Sequence, residues 1–376
     1  MRESIYHILI RILSWVVPLK QNKVIFLSYY GSQYGCNPKY ISQYMVNHSD
    51  HYDIVWAFND PDKYNIAGIR TVKYYTFRFF CELCTAKVIV TNYRMPLWFD
   101  KRKGQYYIQT WHSSLRLKTI EKDAESKLPE GYVDMAKKDS QAIDCLISGC
   151  QYSTEIFRSA FWYDGEVLEC GTPRNDMFFM EHSHLKQHIS KAYGIPETNK
   201  LLLYAPTFRQ HFNFACYKLD YEALKAALTE RFGGEWSILV RLHPHLRPYS
   251  EELLGGKNIV DVTNFDDIQE LLGAADVLIS DYSSLVFDYT FTKRPCFLYV
   301  SDLAEYVQED RKLYFNINEL PFIKAYSNQD LVQAIKEYDE KAYQRALIQF
   351  NRQIGSFEQG TACQAVLDYI QKALKR

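Results

Sequence analysis

Several short apolar runs in this chain end on polar residues able to handle phosphate or protons. Val277-Leu278-Ile279-Ser280 empties into Asp281-Tyr282-Ser283-Ser284 and then a helical pattern that includes Asp288. Hydroxyls and free N–H groups at a helix start are suited to phosphate oxygens. Leu239-Val240-Arg241-Leu242-His243-Pro244 ends a second run on a guanidinium fork and a proline-fixed imidazole, a donor pair suited to pyrophosphate. Leu201–Ala205 leads through Pro206 into Thr207-Phe208-Arg209 by the same logic. In the first half, Ile108-Gln109-Thr110-Trp111-His112-Ser113-Ser114 puts a histidine at a strand end, and an imidazole pKa near ~6.5 suits proton transfer at neutral pH. In Gly171-Thr172-Pro173-Arg174-Asn175-Asp176, capping explains Thr172 and Pro173 but leaves Arg174 and Asp176 over. Taken singly, each cluster also has an ordinary structural reading: serine capping, a buried Arg–His pair, a histidine satisfied in the interior.

The elements that must position these residues come in two series. The first is Lys23–Tyr30, Tyr52–Phe58, Lys87–Asn92, Gln105–Trp111, Cys145–Cys150 and Glu166–Gly171. The second is Leu201–Ala205, Ser237–Leu242, Asn258–Val262, Val277–Ser280 and Pro295–Val300. Most are continuously apolar rather than alternating, as parallel strands covered on both faces must be. Helical patterns separate them, so the expectation is α/β: two doubly wound, Rossmann-like domains. In such sheets ligands sit at the carboxyl ends of strands, where all the clusters above fall. The domain boundary is expected within 182–200, giving domains at 21–190 and 191–356. The segment 357–376 reads as a helix able to cross back to the first domain. The charged stretch Lys118–Lys138 reads as a surface excursion.

Composition narrows the function classes. The 376 residues are 47% hydrophobic and 24% charged, so a disordered or collagenous chain is excluded. With 44 basic against 45 acidic side chains the chain is no polycation, and nucleic acid is not an expected partner. Nine cysteines, several inside apolar runs, read as reduced thiols of a cytosolic protein. Cys81-Glu82-Leu83-Cys84 lacks the second ligand pair of a structural zinc site, and His182, His184 and His188 lack a carboxylate spaced with them. Ile5, Ile8, Leu9, Ile12, Leu13 and Val16 share a helical face within residues 1–20, but Arg11 interrupts the run and the chain has no stretch of ~18 apolar residues, so a spanning helix is not expected. That face lies either in a membrane interface, with Arg2, Arg11 and Lys20 near anionic headgroups, or on the protein core.

Trp111-His112-Ser113, Gly171–Asp176, Tyr204–Arg209, Arg241–Pro244, Asp281–Ser284 and Lys293-Arg294-Pro295 form an ordered set between about residues 105 and 316. This set resembles the CDP-glycerol glycerophosphotransferases, the teichoic-acid primase and polymerase family. The resemblance implies a GT-B-like fold whose two Rossmann-like domains face a cleft, the first binding acceptor and the second a CDP-polyol. It implies peripheral attachment at the cytoplasmic face of the cell membrane, CDP-glycerol or a related CDP-polyol as donor, and a lipid-linked glycopolymer as acceptor. His112 would be the base. Arg241, His243, Ser283 and Ser284 would hold the pyrophosphate and stabilise charge on the departing CMP, His243 being the second catalytic residue, with Thr207, Arg209, Arg174 and Asp281 as further substrate contacts and Asp288 orienting the Ser-Ser helix or a basic partner. No cofactor is evident, and no Asp-x-Asp-type site marks a place for Mg²⁺. The family usually has Trp-His-Gly-Thr where this chain has Trp-His-Ser-Ser, a departure that bears on the acceptor pocket. A nucleotide-sugar glycosyltransferase of the same fold and a non-catalytic membrane scaffold are the alternatives at this stage.

Overall fold

The computed structural model describes residues 2–49, 51–209, 214–255, 258–309 and 312–375. The chain divides into two units: Met1–Ser114, Ile120–Asp176 and Ser356–Arg376 form unit 1, and Leu115–Thr119 and Met177–Gly355 form unit 2.

Unit 1 is built on strands β1 (Lys20–Leu27), β2 (Asp53–Phe58), β3 (Arg70–Lys73), β4 (Ala86–Thr91), β5 (Tyr106–Gln109), β6 (Cys145–Ser148) and β7 (Glu166–Glu169). They form one sheet in the order β3-β2-β1-β4-β5-β6-β7, with every pairing parallel. Val24 through Leu27 are fully buried, because helices cover both faces of the sheet. One face packs with helix α1 (Arg2–Val16) and helix α3 (Phe77–Thr85), through Ile10, Leu13, Phe80 and Leu83. The other packs with helix α2 (Cys36–His48) and the terminal helix Ala362–Leu374, through Ile41, Met45, Val366 and Ile370. Asp176 fixes that terminal helix by accepting from the N–H groups of Ala362 (3.0 Å) and Cys363 (2.7 Å) in its first turn.

Unit 2 repeats the plan with β8 (Lys200–Ala205), β9 (Trp236–Val240), β10 (Val260–Asp261), β11 (Val277–Ser280), β12 (Cys296–Tyr299) and β13 (Ile323–Ala325), in the order β10-β9-β8-β11-β12-β13 and again all parallel. Its helices start on side-chain caps such as Asp220 on Ala223 N–H (3.0 Å) and Ser327 on Asp330 N–H (3.1 Å). Helix Ser183–Tyr193, most of which falls before residue 191, is grouped with unit 2, where Lys186 pairs with Asp276 at 3.0 Å.

Two sequence expectations need correction. The 118–138 stretch is not a plain surface excursion: Glu121 and Ala124 are buried, and residues 132–142 form a helix. The apolar side of α1 is not one surface either. Ile10 and Leu13 are buried and Leu9 packs on the core, while Ile5, Ile8, Ile12, Trp15 and Val16 face solvent. The Arg2 side chain lies outside the described residues.

Candidate active site

Strand order reverses between β1 and β4 in unit 1 and between β8 and β11 in unit 2, and ligands of doubly wound sheets bind beyond the carboxyl ends at such points. In unit 1, Asn92 follows β4 and joins the two ends: its Oδ1 accepts from Tyr29 N–H (3.0 Å) and its Nδ2 donates to Ser28 Oγ (3.3 Å). His112 stands just past the adjacent β5, exposed, with Nδ1 3.2 Å from the Asn92 carbonyl oxygen. A carbonyl can only accept, so Nδ1 carries the proton and Nε2 is the basic nitrogen of the ring. The imidazole lies 4.4 Å from the Trp111 ring and 6.2 Å from that of Tyr29.

Beneath this loop lies a buried charge cluster that sequence reasoning missed. Arg94 pairs with Glu121 (2.9 Å) and Asp139 (3.1 Å), donates to Ser140 Oγ and the Phe161 carbonyl, and stacks 3.6 Å from the Phe161 ring centroid. Burial pushes the Asp139 carboxyl up to about 6, against the opposing pull of Arg94. The cluster ties β4, the 120–132 segment and the Trp111 side chain into one block.

In unit 2 the expected ligands separate into two groups. Asp281 and Arg209 are buried and saturated. Asp281 accepts from the Thr207 N–H and hydroxyl, from Tyr282 N–H (2.6 Å) and from Arg209 Nη1 (3.0 Å). Arg209 donates to Asp302 through Nε (2.6 Å) and Nη2 (3.2 Å) and to the Thr207 carbonyl (2.7 Å). Its guanidinium stacks 4.8 and 5.0 Å from the Tyr282 and Tyr306 rings. Burial raises the Asp302 pKa, but Arg209 outweighs it and holds that carboxyl below its usual range. Thr207, Arg209 and Asp281 thus clamp together the loops after β8 and β11. Asp288 is likewise fully buried, within helix Leu285–Tyr289. Arg174, in unit 1, is buried with its N–H on Asn37 Oδ1 (3.1 Å) and its Nη1 3.3 Å from Cys36 Sγ. Asp302 and Asn37 were invisible to sequence reasoning because their partners lie 93 and 137 residues away.

The second group stays accessible. His243 is half-buried, and its Nδ1 accepts His245 N–H (3.3 Å), so Nε2 bears the proton. Burial, helped by His245 and the Lys118 charge, lowers its pKa to about 4, so at neutral pH it is an uncharged N–H donor. Arg241 is half-buried, with Nη2 3.4 Å from the Asp266 carbonyl. Ser283 and Ser284 are half-buried at the start of the Leu285–Tyr289 helix. Ser284 Oγ also accepts the N–H of Leu117 (3.3 Å), in the five-residue segment that follows the His112 loop and belongs to unit 2. That segment is held by antiparallel pairing: Tyr314 N–H on Leu117 O (2.8 Å) and Thr119 N–H on Lys312 O (2.9 Å). It brings Lys118, which the sequence did not single out as a site residue, close enough to act on His243.

Among the described residues no group of three His, Cys, Asp or Glu side chains is placed to hold a metal ion. His188 lies 3.4 Å from Glu270, and His182 Nδ1 is 2.8 Å from the Met180 carbonyl.

Two parallel Rossmann-like sheets with donor-rich strand ends define the class of GT-B-like transferases. The sequence pattern of the CDP-Glycerol:Poly(glycerophosphate) glycerophosphotransferases matches residues 9–372, and the chain belongs to this family of phosphotransferases. A teichoic acid poly(glycerol phosphate) polymerase of Bacillus spizizenii is 31% identical over 97% of this chain and 95% of its own length. A Staphylococcus epidermidis polymerase of the same description is 33% identical over 95% of this chain, which spans about half, 51%, of that protein. The solved wall teichoic acid polymerase TagF superposes with a TM-score of 0.86 at 31% identity, covering 100% of this chain and 97% of that one. The glycosyltransferase and scaffold alternatives lose their footing with this match.

Proposed function

We propose that the chain transfers glycerol phosphate from CDP-glycerol to a hydroxyl of a teichoic-acid-type glycopolymer and releases CMP. The observation that carries this reading is the exposed His112 at the end of β5, with Nδ1 committed to the Asn92 carbonyl so that Nε2 is the basic nitrogen, in a chain of this family. Nε2 takes the proton of the acceptor hydroxyl as its oxygen attacks the glycerol-bearing phosphorus. A phosphodiester forms, the P–O bond to CMP breaks, and CMP leaves as the anion. Arg241, the His243 Nε2–H and the Ser283 hydroxyl stabilise charge on the departing phosphate, with Lys118 adding a further cation. Such transfers depend chiefly on positioning and electrostatics. Incubation with CDP-glycerol, CDP-ribitol and UDP-sugars should release CMP fastest from CDP-glycerol; UDP release with no CMP would refute the proposal.

A neutral donor has a specific signature. His243→Ala should weaken CDP-glycerol binding roughly 10–150-fold, the equivalent of ~1.5–3 kcal/mol for a hydrogen bond to a charged group. His243→Gln, which keeps an amide donor near Nε2, should recover most of it. Because the folded pKa is depressed below ~6.5, the stability contributed by neutral His243 is present above that value and is lost as pH falls toward about 4. CDP-glycerol titrations of the two variants check the first effect, and urea titrations of the wild type and His243→Ala across that pH range check the second.

The outward side of α1 supports a place for the enzyme at the cytoplasmic membrane face. No helix among the described residues is long and apolar enough to cross a bilayer. Trp15 is 93% exposed and Ile8 and Ile12 are each 57% exposed, beside the exposed cations Arg11 and Lys20. An apolar stripe with flanking cations suits an anionic interface, where each cation adds up to ~1 kcal/mol. Ile8→Asp with Ile12→Asp should then release the folded protein from anionic vesicles, while Leu13→Asp, which buries a charge, should unfold it. A folded Ile8/Ile12 double variant that still sediments with vesicles would remove α1 as the anchor.

A further inference from the structure

Trp111, immediately before His112, has φ +50°, a left-handed backbone that bulky residues rarely adopt. Strain of this kind persists only where surrounding contacts over-determine it. Gln109 Oε1 accepts the Trp111 N–H at 2.9 Å, and Thr110 Oγ1 donates to the Trp111 carbonyl at 2.9 Å. The third contact comes from outside the loop. Asn37, fully buried in the first turn of α2, donates through Nδ2 to the carbonyls of both Thr110 (3.2 Å) and Trp111 (3.1 Å). Its Oδ1 accepts the N–H of Arg174 (3.1 Å).

One amide group thus uses both of its N–H donors on the two peptides that precede His112 and is itself oriented by a third loop. No other side-chain type combines two adjacent donors with an acceptor at this size. Asp would put a carboxylate against two carbonyl oxygens, and Ala would leave both carbonyls without this donor.

We propose that Asn37 is a positioning residue for His112. Its amide holds the 110–111 peptides so that the imidazole turns Nδ1 onto the Asn92 carbonyl and presents Nε2 to the acceptor hydroxyl. This rests on the proposed role of His112 as base.

The test is a double-mutant cycle in the full-length protein, reading CMP release with CDP-glycerol and acceptor. Asn37→Ala and Asn37→Asp are each made alone and with His112→Ala. Expected is a fall in kcat of about 10–100-fold for either single variant, since small misplacements of a reacting group cost on that order. KM for CDP-glycerol should stay within about twofold, and added in the His112→Ala background the same substitution should cost under about twofold, because nothing is left to position. The full loss repeated in that background overturns the proposal, and so does an unchanged kcat. Failure of both Asn37 variants to fold also overturns it, since Asn37 would then serve stability alone. Full activity of His112→Ala on its own refutes the base assignment separately, whatever the Asn37 variants do.

Discussion

Replacing His112 by alanine is expected to lower kcat by about 10²–10⁴-fold while KM for CDP-glycerol barely moves. A general base acts as the hydroxyl proton departs, so its removal raises the barrier without loosening donor binding, which is assigned to residues of unit 2. The fold should tolerate the change. His112 is exposed, and its Nδ1 bonds the Asn92 carbonyl at the surface of the loop. Initial rates of CMP release beside thermal unfolding of the same preparation separate lost chemistry from lost structure. Wild-type turnover in a folded variant would take the base role away from His112.

The largest effect on stability is expected at Arg209. Its guanidinium is the counter-ion for Asp281 and Asp302 and stacks on Tyr282 and Tyr306. Arg209→Ala strands two carboxylates, and breaking a buried pair by removing one partner costs about 3–5 kcal/mol. Arg209→Lys should rescue little, because one ammonium cannot reproduce a fork that reaches both carboxylates and the Thr207 carbonyl. The sign of the pH dependence should also change. In the native protein Asp302 titrates below its usual range, so its stabilisation is present above ~3.9 and is lost as acid protonates it. Without Arg209 burial is opposed only by the Tyr282 hydroxyl (2.9 Å) and a backbone hydrogen bond, so the folded pKa of Asp302 rises and the variant should recover part of its deficit as pH drops from 7 to 5. Urea unfolding at the two pH values checks this; a loss below 1 kcal/mol at pH 7 would mean that the carboxylates find other partners.

These two residues also show how far the sequence was legible. The strands that carry the site were readable because β1, β4, β5, β8, β9 and β11 are apolar runs buried on both faces, and a parallel sheet puts function at their carboxyl ends. The short edge strands β3, Arg70-Thr71-Val72-Lys73, and β13, Ile323-Lys324-Ala325, were missed. They alternate with polar residues and lie half-exposed, so nothing in their pattern sets them apart from loops. Position after a strand identified His112, His243, Arg241 and Ser283 as candidates without telling them apart from Asp281 and Arg209. That sorting depends on which side chains meet: Asp281 finds Thr207 and Arg209 some 70 residues away, and Arg94 finds Glu121 and Asp139. Sequence spacing carries no trace of such pairs. The α1 helix was ambiguous for a different reason. Its apolar residues are numerous enough to supply two faces, and only the packing of Ile10 and Leu13 shows which one the core takes.

The most direct measurement follows the oxygen that bridges the two phosphorus atoms of CDP-glycerol. With that atom labelled as ¹⁸O and acceptor present, attack at the glycerol-bearing phosphorus sends the label into released CMP and leaves the polymer with unlabelled glycerol phosphate. Mass spectrometry of the nucleotide should therefore find CMP heavier by one ¹⁸O. Unlabelled CMP would mean that water had attacked the cytidylyl phosphorus and sent the label into free glycerol phosphate, and CDP in place of CMP would mean that a carbon–oxygen bond had broken; either result contradicts glycerol phosphate transfer by this enzyme.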